Sequence, residues 1–171
     1  YAKNSVFKAF IPSSEDDDDI SEKTTCYIIK AIPFENEEEQ ENFNNQLEIL
    51  HLFKKFPSIM QFSETFLLNN ELTGGKQFLF VVMEFCPYVD LFDFYSQFGD
   101  SKISDDQICS IAYQALTILN ILHKARVVHH DVKPANFLVY SLSPLVLKIT
   151  DFEFSVQISK DELTEQPLGT R

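Results

Sequence analysis

Residues 129–136 read His129-His130-Asp131-Val132-Lys133-Pro134-Ala135-Asn136, and fifteen residues beyond Asn136 stand Asp151-Phe152-Glu153. The carboxylates of Asp131 and Asp151 and the amide of Asn136 supply oxygens that suit a hard cation, and Lys133 supplies a compact positive charge for an anion. Any one of these residues alone would be an ordinary polar turn residue beside a helix end. Seven of them in register ask for more than a turn requires.

The constellation resembles the catalytic loop and metal-binding turn of the protein kinases. That resemblance implies phosphoryl transfer from ATP, a reaction in which the protein mainly places a hydroxyl in line with a phosphate and offsets charge. On this footing Asp131 is the carboxylate beside the attacking hydroxyl, Asn136 and Asp151 are ligands of Mg2+, and Lys133 contacts the transferred phosphate. A lysine two residues past the aspartate further implies serine/threonine in place of tyrosine acceptors.

The N-terminal half resembles the family's remaining parts in the family's order. Lys30, ending Cys26-Tyr27-Ile28-Ile29-Lys30, is similar to the strand lysine that holds the α- and β-phosphates, and Glu48 to its acidic partner on the next helix. Alone, each would be read as solvent-exposed. Val81-Val82-Met83-Glu84-Phe85-Cys86 resembles the strand and hinge on which adenine hangs through the backbone of Glu84 and Cys86, with Met83 gating the back pocket and Asp90 reaching the ribose. Val6, Ile28 and Leu138 then enclose the adenine, and Leu52, Phe62, His129 and Phe152 correspond to the packed stack that links the lobes.

The elements that must position these residues follow from periodicity. Strands are expected at residues 5–10, 26–32, 60–68 and 78–85, the second of them a β-branched run. A helix is expected over 39–54, from apolar residues at Phe43, Leu47 and Leu50 with Ile49, Leu52 and Phe53 beside them, ended by Pro57. The acidic, Ser-rich connection 12–25 has little to bury and is expected as a mobile turn, and Gly74 and Gly75 mark another. After Pro87 the character turns helical: a short helix at 91–98, then a long one to about Lys124, started by Ser104 with Gln107 three residues on. Apolar runs 137–140 and 146–149 around Ser141–Pro144 read as a hairpin.

The fold expected is therefore α+β and protein-kinase-like: a small antiparallel sheet with one helix in an ATP-binding lobe, residues 1–85, then the truncated start of a mainly helical lobe, residues 86–171. Leu168-Gly169-Thr170-Arg171 resembles the start of the segment that receives the phosphoacceptor.

Bulk properties agree with such a chain. At 171 residues and 44% hydrophobic it can bury one sizeable core or two small ones. The net charge of −12 opposes binding to nucleic acid or anionic membrane, and protein substrates are the expected partners. Cys26, Cys86 and Cys109 lack disulfide or zinc spacing, which fits a reducing, intracellular setting, cytoplasmic or nuclear.

Five positions depart from the family pattern. Tyr1 and Asn4 stand where the second and third glycines of the phosphate-covering loop are expected, Ile28 replaces a small residue over adenine, His130 an arginine, and Glu153 a glycine. They open a second reading, a kinase-like binding module or scaffold without transfer activity. A third comes from Asp151-Phe152-Glu153-Phe154-Ser155, which also resembles the metal-binding turn of choline and aminoglycoside kinases. Lys133-Pro134 and Gly169-Thr170 favour the protein kinases over these relatives.

Overall fold

The computed structural model describes residues 5–11, 25–69, 77–97 and 103–159. The expectations for Tyr1, Asn4, Gly74, Gly75, most of the acidic connection and residues 160–171 lie outside the described residues. The chain divides into two compact units, with breaks between Gln40 and Glu41, Met60 and Gln61, and Phe85 and Cys86.

The first unit is a four-stranded antiparallel sheet of β1 (Ser5–Ile11), β2 (Thr25–Phe34), β3 (Phe62–Asn69) and β4 (Gln77–Glu84), in the order β1-β2-β4-β3. Its strands are rich in Ile, Val and Phe, side chains that pack well on a pleated surface. Register decides which residues share a face. Val6 pairs with Lys30 and Lys30 with Val81, while Ile28 pairs with Met83 and Met83 with Phe62. Paired residues and those two apart point the same way. Val6, Ile28, Lys30, Met83 and Phe62 therefore lie on one face.

Helix α1 (Glu37–Leu52) begins at the edge of the first unit and runs into the second. It starts two residues earlier than periodicity predicts because Asn36 and Glu39 close its end. The Asn36 side chain accepts the Glu39 N–H at 2.9 Å, and the Glu39 carboxylate accepts the Glu35 N–H at 2.8 Å. Three glutamates in the first turn suit the positive end of the helix dipole.

The second unit takes residues 41–60 as well as those from 86 on. The reason is packing: Ile49, Phe53 and Ile59 join one core with Leu91, Phe94, Ile118, Leu122, Ile149 and Phe152. That core is surrounded by α2 (Leu91–Ser96), α3 (Asp105–Lys124) and the hairpin of β6 (Phe137–Leu142) and β7 (Leu145–Ile149). The cap expected for α3 is present in both directions, with the Ser104 hydroxyl accepting the Gln107 N–H and the Gln107 side chain accepting the Ser104 N–H. Two short strands not anticipated, β5 (Val127–Val128) and β8 (Val156–Gln157), pair across the ends of the segment 129–155. Among the described residues no helix is long and apolar enough to cross a membrane.

Candidate active site

The hairpin explains the fifteen-residue interval. Phe137 pairs with Ile149, so the residues just outside that pair, Asn136 and Thr150, meet at the open end, and the Thr150 N–H donates to the Asn136 carbonyl at 2.9 Å. Asp151 follows directly. Two candidate metal ligands far apart in sequence are thus set on adjoining strand ends.

Asp131 lies beside them, only 5% exposed, as is Asn136. Its Oδ2 is 2.8 Å from Lys133 Nζ and accepts from Asn136 Nδ2 at 2.9 Å. The same Nδ2 also donates to the Asp131 carbonyl at 2.8 Å. With both amide hydrogens engaged, the orientation of Asn136 is fixed and Oδ1 is its remaining acceptor. A short 3₁₀ turn over Pro134–Asn136, closed by the Asn136 N–H on the Lys133 carbonyl at 2.9 Å, holds this geometry. A buried carboxylate needs such partners, because an unpaired charge out of water is costly.

His129 joins the two segments. Its Nε2 is 3.1 Å from the Thr150 carbonyl oxygen, and its Nδ1 is 3.3 Å from the Asp131 backbone nitrogen. A carbonyl only accepts and an N–H only donates, so the ring is neutral with its proton on Nε2. Burial agrees, as it pushes the His129 pKa below its usual value more strongly than the Thr150 bond and the nearby Asp151 and Asp131 charges raise it. The Ser155 hydroxyl donates to the His129 carbonyl at 3.3 Å, a second tie between the same segments.

His130 and Asp151 both have positive φ, 62° and 63°. Such backbone is unfavourable for residues other than glycine, though His and Asp adopt it more readily than most. At Asp151 it is enforced from both sides, by the doubly bonded Thr150 and by Phe152, which is buried.

Phe152 packs against His129 at 4.9 Å and Phe53 at 6.3 Å between ring centroids. Phe53 here replaces the expected Leu52, which is 47% exposed where Phe53 is 1% exposed. The chain leaves α1 at Leu52, and the Phe53 N–H turns back to the Leu50 carbonyl at 3.1 Å, swinging Phe53 inward.

Leu138 and Asp90 meet in an isolated antiparallel bridge, with the Val139 N–H on the Val89 carbonyl at 3.1 Å. The Asp90 carboxylate caps α2, accepting the Asp93 N–H at 2.9 Å. Cys86 is buried with its sulfur 3.9 Å from that of Met60, and Glu48 is an exposed residue of α1. In the first unit Glu84 falls on the face opposite Met83, and its carboxylate accepts the Gln61 N–H at 2.8 Å while its own N–H reaches the Gln61 carbonyl at 3.0 Å. Phe62 shares the Lys30 face. Sequence reasoning missed Thr150, whose part is played by backbone atoms that leave no side-chain signal.

The donor set fits magnesium. Asn136 and Asp151 offer oxygen and no thiolate or imidazole, and among the described residues no group of three or more His, Cys, Asp or Glu side chains could hold a metal alone. Magnesium is commonly held by one or two such oxygens, with phosphate and water completing its octahedron.

The Protein kinase domain family model matches residues 20–171. Among curated proteins, calcium-dependent protein kinase 22 of Arabidopsis thaliana is 30% identical over 151 residues, 85% of this chain and 29% of the relative. Serine/threonine-protein kinase pak-2 of Caenorhabditis elegans is 29% identical over 133 residues, 78% of this chain and 23% of the relative. A probable cell division protein kinase of Encephalitozoon cuniculi is 37% identical over 90 residues, 53% of this chain and 28% of the relative. The chain thus spans less than a third of the length of these relatives. Sequence, fold and hairpin-borne ligand set agree with the family match, and the chain belongs to the protein kinase family.

Proposed function

We propose that this chain is the nucleotide-binding and catalytic part of a protein kinase that transfers the γ-phosphoryl group of ATP to serine or threonine hydroxyls of protein substrates. The observation that carries the reading is Asp131 Oδ2 held between Lys133 and Asn136, with Asn136 and Asp151 on adjoining ends of one hairpin. Asp131 orients the acceptor hydroxyl and takes its proton, Lys133 offsets the charge of the moving phosphoryl group, and Asn136 Oδ1 with the Asp151 carboxylate holds Mg2+. The bound cation supplies charge neutralisation on the phosphate oxygens.

The remaining roles follow the family pattern. Val6, Ile28 and Leu138 enclose adenine, the backbone of Glu84 and Cys86 bonds its edge, Met83 gates the pocket behind it, and Asp90 meets the ribose. Lys30, with Glu48 as partner, holds the α- and β-phosphates. Cys26, Cys86 and Cys109, none of them in a disulfide among the described residues, support an intracellular setting.

The test is transfer from labelled ATP, with magnesium, to a mixed Ser/Thr/Tyr peptide library by the full-length protein and its Asp131→Asn variant. Labelled serine or threonine peptides with wild type alone support the proposal. Labelling of tyrosine peptides or of small aminoalcohols would move the acceptor class, and nucleotide binding without transfer would make the protein a scaffold.

A further inference from the structure

The outer edge of β7 is an exposed ladder in principle, because β6 and β7 form a sheet of only two strands. Edge groups need partners. At the Asp151 end they find backbone, with the Ile149 N–H on the Ser58 carbonyl at 3.0 Å and the Met60 N–H on the Ile149 carbonyl at 2.9 Å. Nearer the hairpin tip they find one side chain. Gln114, in the middle of α3, donates from Nε2 to the Leu145 carbonyl at 3.0 Å and accepts the Leu147 N–H on Oε1 at 2.9 Å. Its Nε2 also donates to the Ser110 hydroxyl one turn back, at 3.2 Å.

A carbonyl and an N–H two residues apart on one strand edge are what a neighbouring peptide group would bond. The Gln114 amide therefore stands in for a third strand. It pins β7 to α3, the helix whose Ile118 and Leu122 are among the most deeply buried side chains. The same strand delivers Thr150 and Asp151. A slip of β7 along β6 would carry Asp151 away from Asn136, which is fixed independently by Asp131.

We propose that Gln114 is a positioning residue: by clamping Leu145 and Leu147 it sets where β7 ends and so holds Asp151 in line with Asn136 for Mg2+. The inference rests on the metal role given above to that pair. It assigns the metal geometry to a side chain on a different element, remote in sequence from both ligands.

The experiment measures affinity for a non-hydrolysable ATP analogue by calorimetry, with and without magnesium, in the full-length protein and in Gln114→Met, Gln114→Glu and Ser110→Ala. Met keeps the length and loses both bonds, Glu keeps only the acceptor for Leu147, and Ser110→Ala spares the clamp. The magnesium-dependent gain in affinity should fall about three- to tenfold in Gln114→Met, the scale on which residues supporting metal ligands act. It should fall less in Gln114→Glu and stay unchanged in Ser110→Ala, with magnesium-free affinity equal in all.

Equal magnesium gain in wild type and Gln114→Met, even with a lowered melting temperature, would overturn the inference and leave the kinase reading standing. No magnesium-dependent binding in wild type would overturn the kinase reading itself, and this inference with it. A measurement on wild type needs no variant to fold: by hydrogen exchange the Leu147 amide should be protected, and exchange at the rate of an unbonded amide would overturn the clamp.

Discussion

The His129 ring donates from Nε2 to the carbonyl of Thr150 across 3.1 Å while its Nδ1 accepts the N–H of Asp131, so one neutral imidazole spans the two segments that carry Asp131 and Asp151. A second proton would set Nδ1–H against a backbone N–H. This makes the junction sensitive to acid.

The sign follows from burial. The folded-state pKa of His129 is lowered, chiefly by desolvation, so as pH falls past the ordinary value near 6.5 the unfolded chain takes up this proton first. The stability due to His129 is full above about pH 6.5 and is lost as pH falls toward the lowered pKa. Denaturant midpoints at pH 7.5 and 5.5 should show a loss in wild type that is smaller in His129→Gln.

Asp131→Asn should reduce kcat at least about a hundredfold, the lower range for a missing general base. The amide can still accept from Asn136, so the melting temperature should move by only a few degrees. Peptide phosphorylation and a thermal melt on the same sample check both parts.

Asn136→Ala and Asp151→Ala should each raise the magnesium concentration needed for half-maximal nucleotide binding, about tenfold or more. Asn136→Ala should also destabilise the fold, because it removes both bonds to buried Asp131. Magnesium titrations of fluorescent-nucleotide binding check the first effect, and thermal melts the second.

Phe53→Ala should destabilise by about 3–5 kcal/mol, the usual range for emptying a buried aromatic site. Leu52→Ala, one residue earlier and half exposed, should change stability by less than about 1 kcal/mol. Urea unfolding of the pair tests which residue packs on Phe152.

Local chemistry explains what was legible in the sequence. Asp131, Lys133 and Asn136 lie within one short loop, so their types and spacing are visible without the fold, and Ser104 with Gln107 announces α3 in the same way. The ends of β2, β4 and α2 fall within a few residues of expectation because composition changes sharply there. The resemblance puts Leu52 in the stack with Phe152, but the turn after the last helical residue brings Phe53, the next apolar residue, there instead. β5 and β8, two residues each, are too short for any period, and the ties through Thr150 are made by backbone atoms.

Because Asn136 and Asp151 are neighbours through the open end of the β6–β7 hairpin, the number of residues between them has no bearing on their distance. Adding or removing one pair of residues at the Ser143–Pro144 tip would change the count and leave the two oxygens where they are. A pattern search that demands a fixed interval between the loop and the turn therefore measures hairpin length, a quantity free to drift. One that fixes each half separately and leaves the gap open follows what the chemistry constrains.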